Sequence, residues 1–290
     1  MWSQQPPPLS DYERTLVPLE SEAGQTFAAR LSDEGTSYLC LLLDSFEAQI
    51  EGSWCGLAVT AAALKVLKAW GDCEAFVALP TQQHLFEEAL AVTRATKRAL
   101  SSGMSLAEVE ELVARRLRQH AMRAVVRLVD GGGDPTQLSL AFRDDLEAFG
   151  SGSSDANTPR RLLLVNLVRH VKGQSTGHWL LIAGSVRIAD ERWILLLDPA
   201  AHKLGNPPPL HTARSERIFV NCVCQSLVSI PAQISGAGPH WLPELLLISA
   251  MASLNFRHES RGYLAVETQS ARGGAGVSDW TPLWTTMSAA

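Results

Sequence analysis

Residues 162–198 read LLLVNLVRHVKGQSTGHWLLIAGSVRIADERWILLLD. Three short apolar runs, LLLVNLV, HWLLIAGSV and RWILLLD, are separated by stretches of turn character, which predicts strands joined by tight connections. Upstream the period is different. Residues 25–48, 55–70, 82–100 and 105–121 place apolar residues at helical spacing, and Ser105 with Glu108 predicts a capping box at the head of the last segment. VDGGGDPTQ (129–137) then breaks the chain, QLSLAFRDDLEAF (137–149) predicts a short helix, and GSGSSDANTPRR (150–161) predicts a flexible loop. Helices first and strands afterwards predict an α+β fold rather than alternating βαβ units.

Downstream, RIFVNCVCQ (217–225) predicts a further strand. WLPELLLISAMAS (241–253) predicts one more apolar helix, and the Gly/Ser-rich remainder a poorly ordered tail. The expected organisation is a catalytic unit over 1–229 and a C-terminal extension over 230–290, with no internal repeat.

Composition narrows the class. With 46% hydrophobic and 19% charged residues in 290, the chain can bury a sizeable core. A net charge of -5 without a basic block argues against nucleic acid as the main partner. The start has neither a basic nor an apolar region of secretory type, and no run reaches the ~18 apolar residues of a membrane span. The five cysteines (Cys40, Cys55, Cys73, Cys222, Cys224) are odd in number and scattered, so a disulfide framework is not expected and a reducing cytoplasmic setting is. Cys222 and Cys224 share a strand face and read as packed thiols; a zinc clip needs two further ligands that the sequence does not offer.

FEAQIEGSWCGLA (46–58) sets a lone cysteine before glycine at the doorway of an apolar helix. Cys55 is either a small hydrophobe or a thiol whose proton leaves easily, because a helix N-terminus favours the thiolate. A nucleophile there needs a histidine, an orienting carboxylate and an oxyanion donor. Gly56 would let substrate backbone approach. Of the eight histidines, those at 84, 120, 240 and 258 lie in polar or helical contexts where exposure is the default. His178 instead opens one strand, and Asp198 closes the next. A hairpin centred near residue 188 would set the two directly opposite, with Cβ atoms about 5 Å apart. A structural His–Asp contact accounts for the same pattern, and a one-residue slip would separate the pair.

Taken together, Gln49 six residues before Cys55-Gly56-Leu57-Ala58, the distant Gly177-His178, and LLLDPAAHKLGNPPP (195–209) resemble the phytochelatin synthase family. DYERTLVPLESEAGQTFAARLSDEG (11–35), GMSLAEVEELV (103–113) and NLVRHVKGQSTGH (166–178) are similar to it too, so the likeness covers roughly residues 11–229. The resemblance implies a papain-like cysteine-protease fold, a helical N-terminal half packed on an antiparallel sheet, acting on glutathione. By position it implies Cys55 as nucleophile, His178 as general base and then acid, Asp198 as the orienting carboxylate and Gln49 as oxyanion donor. Asn166, Arg169, Gly177 and Gly56 fall at substrate-facing positions, with Arg169 a carboxylate clamp.

The implied reaction is transfer of γ-glutamylcysteine from one glutathione to another, with glycine released. Heavy-metal ions such as Cd²⁺ or Zn²⁺ would activate as thiolate complexes of the substrate, so neither a tightly bound cofactor nor a protein metal site is expected. The expected partners are glutathione and metal–glutathione complexes, not nucleic acid or membrane, and a homodimer is compatible. The chain departs from the family pattern at Trp179-Leu180-Leu181, at Ala201 (where an arginine is usual) and in PPPLH (207–211), changes expected to line the substrate pocket. They keep open a thiol hydrolase that cleaves glycine from glutathione or its conjugates. A silent binding protein or an unrelated α+β domain is open as well.

Overall fold

The computed structural model describes residues 29–31, 33–70, 79–92, 103–131, 135–150, 160–171, 174–188, 191–199, 240–243 and 261–268. The helices α1 (Asp33–Ser45), α2 (Cys55–Ala69), α3 (Gln82–Val92) and α4 (Leu106–Gln119) come first. They are followed by β1 (Ala124–Asp130), α5 (Pro135–Gly150), β2 (Arg161–Val171), β3 (Gln174–Ile188), β4 (Glu191–Leu197), β5 (His240–Pro243) and β6 (Gly262–Thr268). The strands make one antiparallel sheet in the order β1-β6-β2-β3-β4-β5. The architecture is α+β.

Local chemistry explains the helices. The Ser105 hydroxyl accepts from the Glu108 amide, and the Glu108 carboxylate accepts from the Ser105 amide at 2.8 Å, so the capping box starts α4 as the sequence predicts. α2 is rich in alanine and leucine and almost wholly buried, which makes it the central helix. The sheet is covered on both faces. Leu162, Leu164, Trp179, Leu181 and Leu197 pack in a layer with residues of α1 to α4, while Leu163, Val165, Leu180 and Ile182 pack with Leu138, Phe142 and Leu146 of α5. Burial on both sides is why LLLVNLV shows no polar alternation.

The C-terminal segment departs from expectation. Residues 262–268, read as tail, form β6, an interior strand paired with β1 on one side and β2 on the other. Val129 and Asp130, read as a chain break, end β1. Residues 241–243 are strand rather than the start of a helix; 244–253 lie outside the described residues, as do the strand expected at 217–225 with Cys222 and Cys224 and the loop at 207–211. Gly262 has a steric reason: a Cβ there would overlap the Val129 carbonyl oxygen, where β1 passes closest.

Candidate active site

The site begins with a fault in the ladder. From Ile188↔Glu191 to Gly184↔Leu195 the β3–β4 register is regular; it then shifts and resumes at Ile182↔Leu196 and Leu181↔Leu197. An extra residue in one strand reverses the alternation of faces beyond it. Without the shift His178 and Asp198 would point to opposite faces. With it, His178 has the parity of Leu180 and Ile182, and Asp198 that of Ile194 and Leu196, and those four apolar residues share one core layer. The direct opposition expected from a turn near 188 does not form, because the ladder closes later and is bulged. Continuing the observed register sets Asp198 opposite Leu180, so His178 is its diagonal neighbour, a gap that side chains can span. His178 Nε2 and Asp198 Oδ1 are 2.6 Å apart, and both residues are buried.

Cys55 is the first residue of α2. Trp54 before it provides no side-chain cap, and the first turn holds no acidic residue, so the helix's positive end is left uncompensated. Burial pushes the thiol up; a hydrogen bond and charge interaction with His178, and the Trp179 backbone amide donating to the sulfur, outweigh it, so the thiol lies below its ordinary range. With Nε2 held by Asp198, the contact to Cys55 falls to Nδ1 of the ring. Cys55, His178 and Asp198 therefore form one buried thiol–imidazole–carboxylate chain.

Gln49 lies on the loop between α1 and α2. Its backbone amide donates to the Pro199 carbonyl at 2.8 Å, which ties the loop next to Asp198. The carboxamide is buried, with Nε2 donating to the Glu51 carbonyl at 2.8 Å, while Oε1 finds no partner.

The other expected residues divide. Asn166 is buried in β2, its Oδ1 accepting from Arg261 Nη1 at 3.4 Å. Gly177 lies under the same guanidinium, which fills the space a side chain would take. Arg169 stands in β2 opposite Thr176, and its side chain is outside the described residues. The position of the absent Cβ of Gly56 is 3.1 Å from Val109, 3.3 Å from Trp179 and 3.4 Å from Met104, so glycine here serves helix packing. Trp179, Leu180 and Leu181 are core residues rather than pocket walls, with the Trp179 indole donating to the Met104 carbonyl at 2.9 Å. His120, expected at the surface, is buried at the end of α4. Arg261 was not anticipated; its only signal is an Arg-Gly pair before the short apolar run YLAV, which reads as function only once β6 is known to be interior.

Among the described residues no group of three or more His, Cys, Asp or Glu side chains is placed to hold a metal ion, and no helix is long and apolar enough to cross a membrane.

An α+β domain whose central helix begins at a buried, activated cysteine against a histidine–aspartate pair is arranged as a thiol-dependent acyl-transfer protein would be. The family model for phytochelatin synthase matches residues 9–215, and the chain belongs to that family, whose members are transferases. No curated protein matches it.

Proposed function

We propose that the chain is a glutathione γ-glutamylcysteinyltransferase with a papain-like, cysteine-dependent mechanism. The observation that carries this reading is the buried Cys55–His178–Asp198 chain, with its 2.6 Å imidazole–carboxylate contact and its lowered thiol. The Cys55 thiolate attacks the carbonyl joining the γ-glutamylcysteine part of glutathione to glycine. The oxyanion that forms is held by the second N–H of Gln49 and the unpaired amides at the head of α2. His178 gives its proton to the departing glycine amine, leaving a γ-glutamylcysteinyl thioester on Cys55. The amine of a second glutathione, deprotonated by His178, then displaces the sulfur. The product is a chain one γ-Glu-Cys unit longer.

Arg261 and Asn166 supply the recognition. A buried guanidinium bridged to a carboxamide, directly over Gly177 and next in sequence to His178, suits a substrate carboxylate. Arg261 is proposed for this role beside Arg169, whose side chain lies outside the described residues. Cd²⁺ or Zn²⁺ enters as the thiolate complex of the substrate. The cytoplasm, where glutathione is abundant and thiols stay reduced, is the proposed setting.

Incubation of the purified chain with glutathione and Cd²⁺, read by mass spectrometry, tests the reading. The expected products are glycine and oligomers of γ-Glu-Cys. Glycine with γ-Glu-Cys alone would mean that water is the acceptor and the protein a hydrolase. Neither product would overturn the assignment.

A further inference from the structure

The loop that carries Gln49 has little to hold it by burial: Glu47, Ala48, Ile50, Glu51 and Gly52 are all exposed, and Ile50 is 50% exposed despite its apolar side chain. Hydrogen bonds hold it instead, and one buried side chain makes two of them. Gln82, the first residue of α3 and 1% exposed, donates from Nε2 to the Ala48 carbonyl at 2.9 Å. Its Oε1 accepts from the Ile50 amide at 3.1 Å. A further bond runs from the Gln49 amide to the Pro199 carbonyl at 2.8 Å. Ala48 C=O and Gln49 N–H belong to the peptide group before the Gln49 Cα, and Ile50 N–H to the one after it. With both planes held, φ and ψ of Gln49 are set, and with them the direction of its Cα–Cβ bond. Pro199 follows Asp198, so the same loop is referenced to the orienting carboxylate.

We propose that Gln82 is a positioning residue for acyl transfer: it clamps the two peptide groups flanking Gln49 and so aims the Gln49 carboxamide at the carbonyl oxygen that Cys55 attacks. It rests on the reading of Gln49 as oxyanion donor. Gln82 touches no reacting atom and acts only through this loop. A preorganised donor is effective because no reorientation is needed when charge develops, and a small misplacement removes much of that benefit.

The experiment compares Gln82→Met, Gln49→Ala and the double variant with the wild-type chain, following glycine release from glutathione and hydrogen exchange at the Ile50 amide. Gln82→Met keeps the length and bulk of the side chain but removes both hydrogen bonds. The expected result is faster exchange at Ile50, a kcat lower by about ten- to a hundredfold and a KM within about twofold, because a transition-state contact is lost. Alkylation of Cys55 should be unchanged, which a general loosening of the fold would not allow. On the Gln49→Ala background, Gln82→Met should cost less than about twofold more.

A Gln82→Met kcat within about twofold of wild type, or an equal loss with and without Gln49, overturns the positioning role and leaves the acyl-transfer reading standing. No glycine release by the wild-type chain overturns both. If Gln82→Met does not fold, Gln82→Glu replaces it: the acceptor for Ile50 is retained, a carboxylate faces the Ala48 carbonyl, and the same fall in kcat at constant KM is expected.

Discussion

The ionisation of Cys55 depends on what surrounds it. Burial, with a smaller contribution from the Asp198 charge, pushes the thiol up; the hydrogen bond and charge of His178 and the Trp179 amide outweigh them and lower it. Removing the imidazole leaves burial in place and deletes two of the causes that lower the thiol. In His178→Ala the pH profile of Cys55 alkylation should therefore move upward, with less labelling at neutral pH; an unmoved profile would show that the helix terminus and the Trp179 amide suffice. Cys55→Ser should abolish glycine release with the fold intact, and Asp198→Asn should lower kcat by about a hundredfold or more through a misplaced or wrong tautomer. Arg261→Met should raise KM for glutathione more than it lowers kcat, as steady-state kinetics can show. Cys55, His178 and Asp198 were legible because each is marked in its own neighbourhood: Gly56 after the thiol, Gly177 before the imidazole, Pro199 after the acid. Gln82 and Arg261 carry no such mark, since their partners lie 32 and 95 residues away.

Among the elements, α5 is tied to the sheet by one acid. Asp145 is buried and accepts from Arg127 of β1 at 2.5 Å, from Arg161 of β2 at 2.6 Å and from the Tyr263 hydroxyl of β6 at 2.5 Å, so a single carboxylate joins three neighbouring strands. Burial, then Asp145, pushes the Tyr263 phenol far up, so it stays a donor at any ordinary pH. Arg127 is half-exposed and loses little when its partner goes, and Arg161 keeps its ion pair with Glu267, but the Tyr263 hydroxyl would be left buried and unmatched. Asp145→Ala should cost about 1–3 kcal/mol, seen as a lower urea midpoint. The cap of α4 and the approximate spans of α4 and α5 could be read from cap chemistry and period. The bulge that brings His178 and Asp198 to one face has a single local mark, Gly184 beside the register shift, and an isolated glycine does not by itself say which residues then share a face.

For the molecule as a whole, the decisive strand is the one that reads least like a strand. β6 fills the gap between β1 and β2 and delivers Arg261 to the site. Truncation after residue 260 should expose the paired edges of β1 and β2 and abolish cooperative unfolding, as followed by circular dichroism. Gly262→Val should act in the same direction by forcing β1 away from β6. The amino-acid sequence by itself determined the helices of the first half, the run of strands that starts near residue 162, the cap on α4 and the cysteine at the head of α2, but not β1 among the helices, since periodicity and capping depend on residues within a turn or two of one another. Only the tertiary structure decided the order of the strands, the interior place of β6, the face shared by His178 and Asp198, and the grip of Gln82 on the Gln49 loop. Those features are made by backbone hydrogen bonds and buried contacts between distant segments, and a backbone ladder accepts almost any side chain in its register.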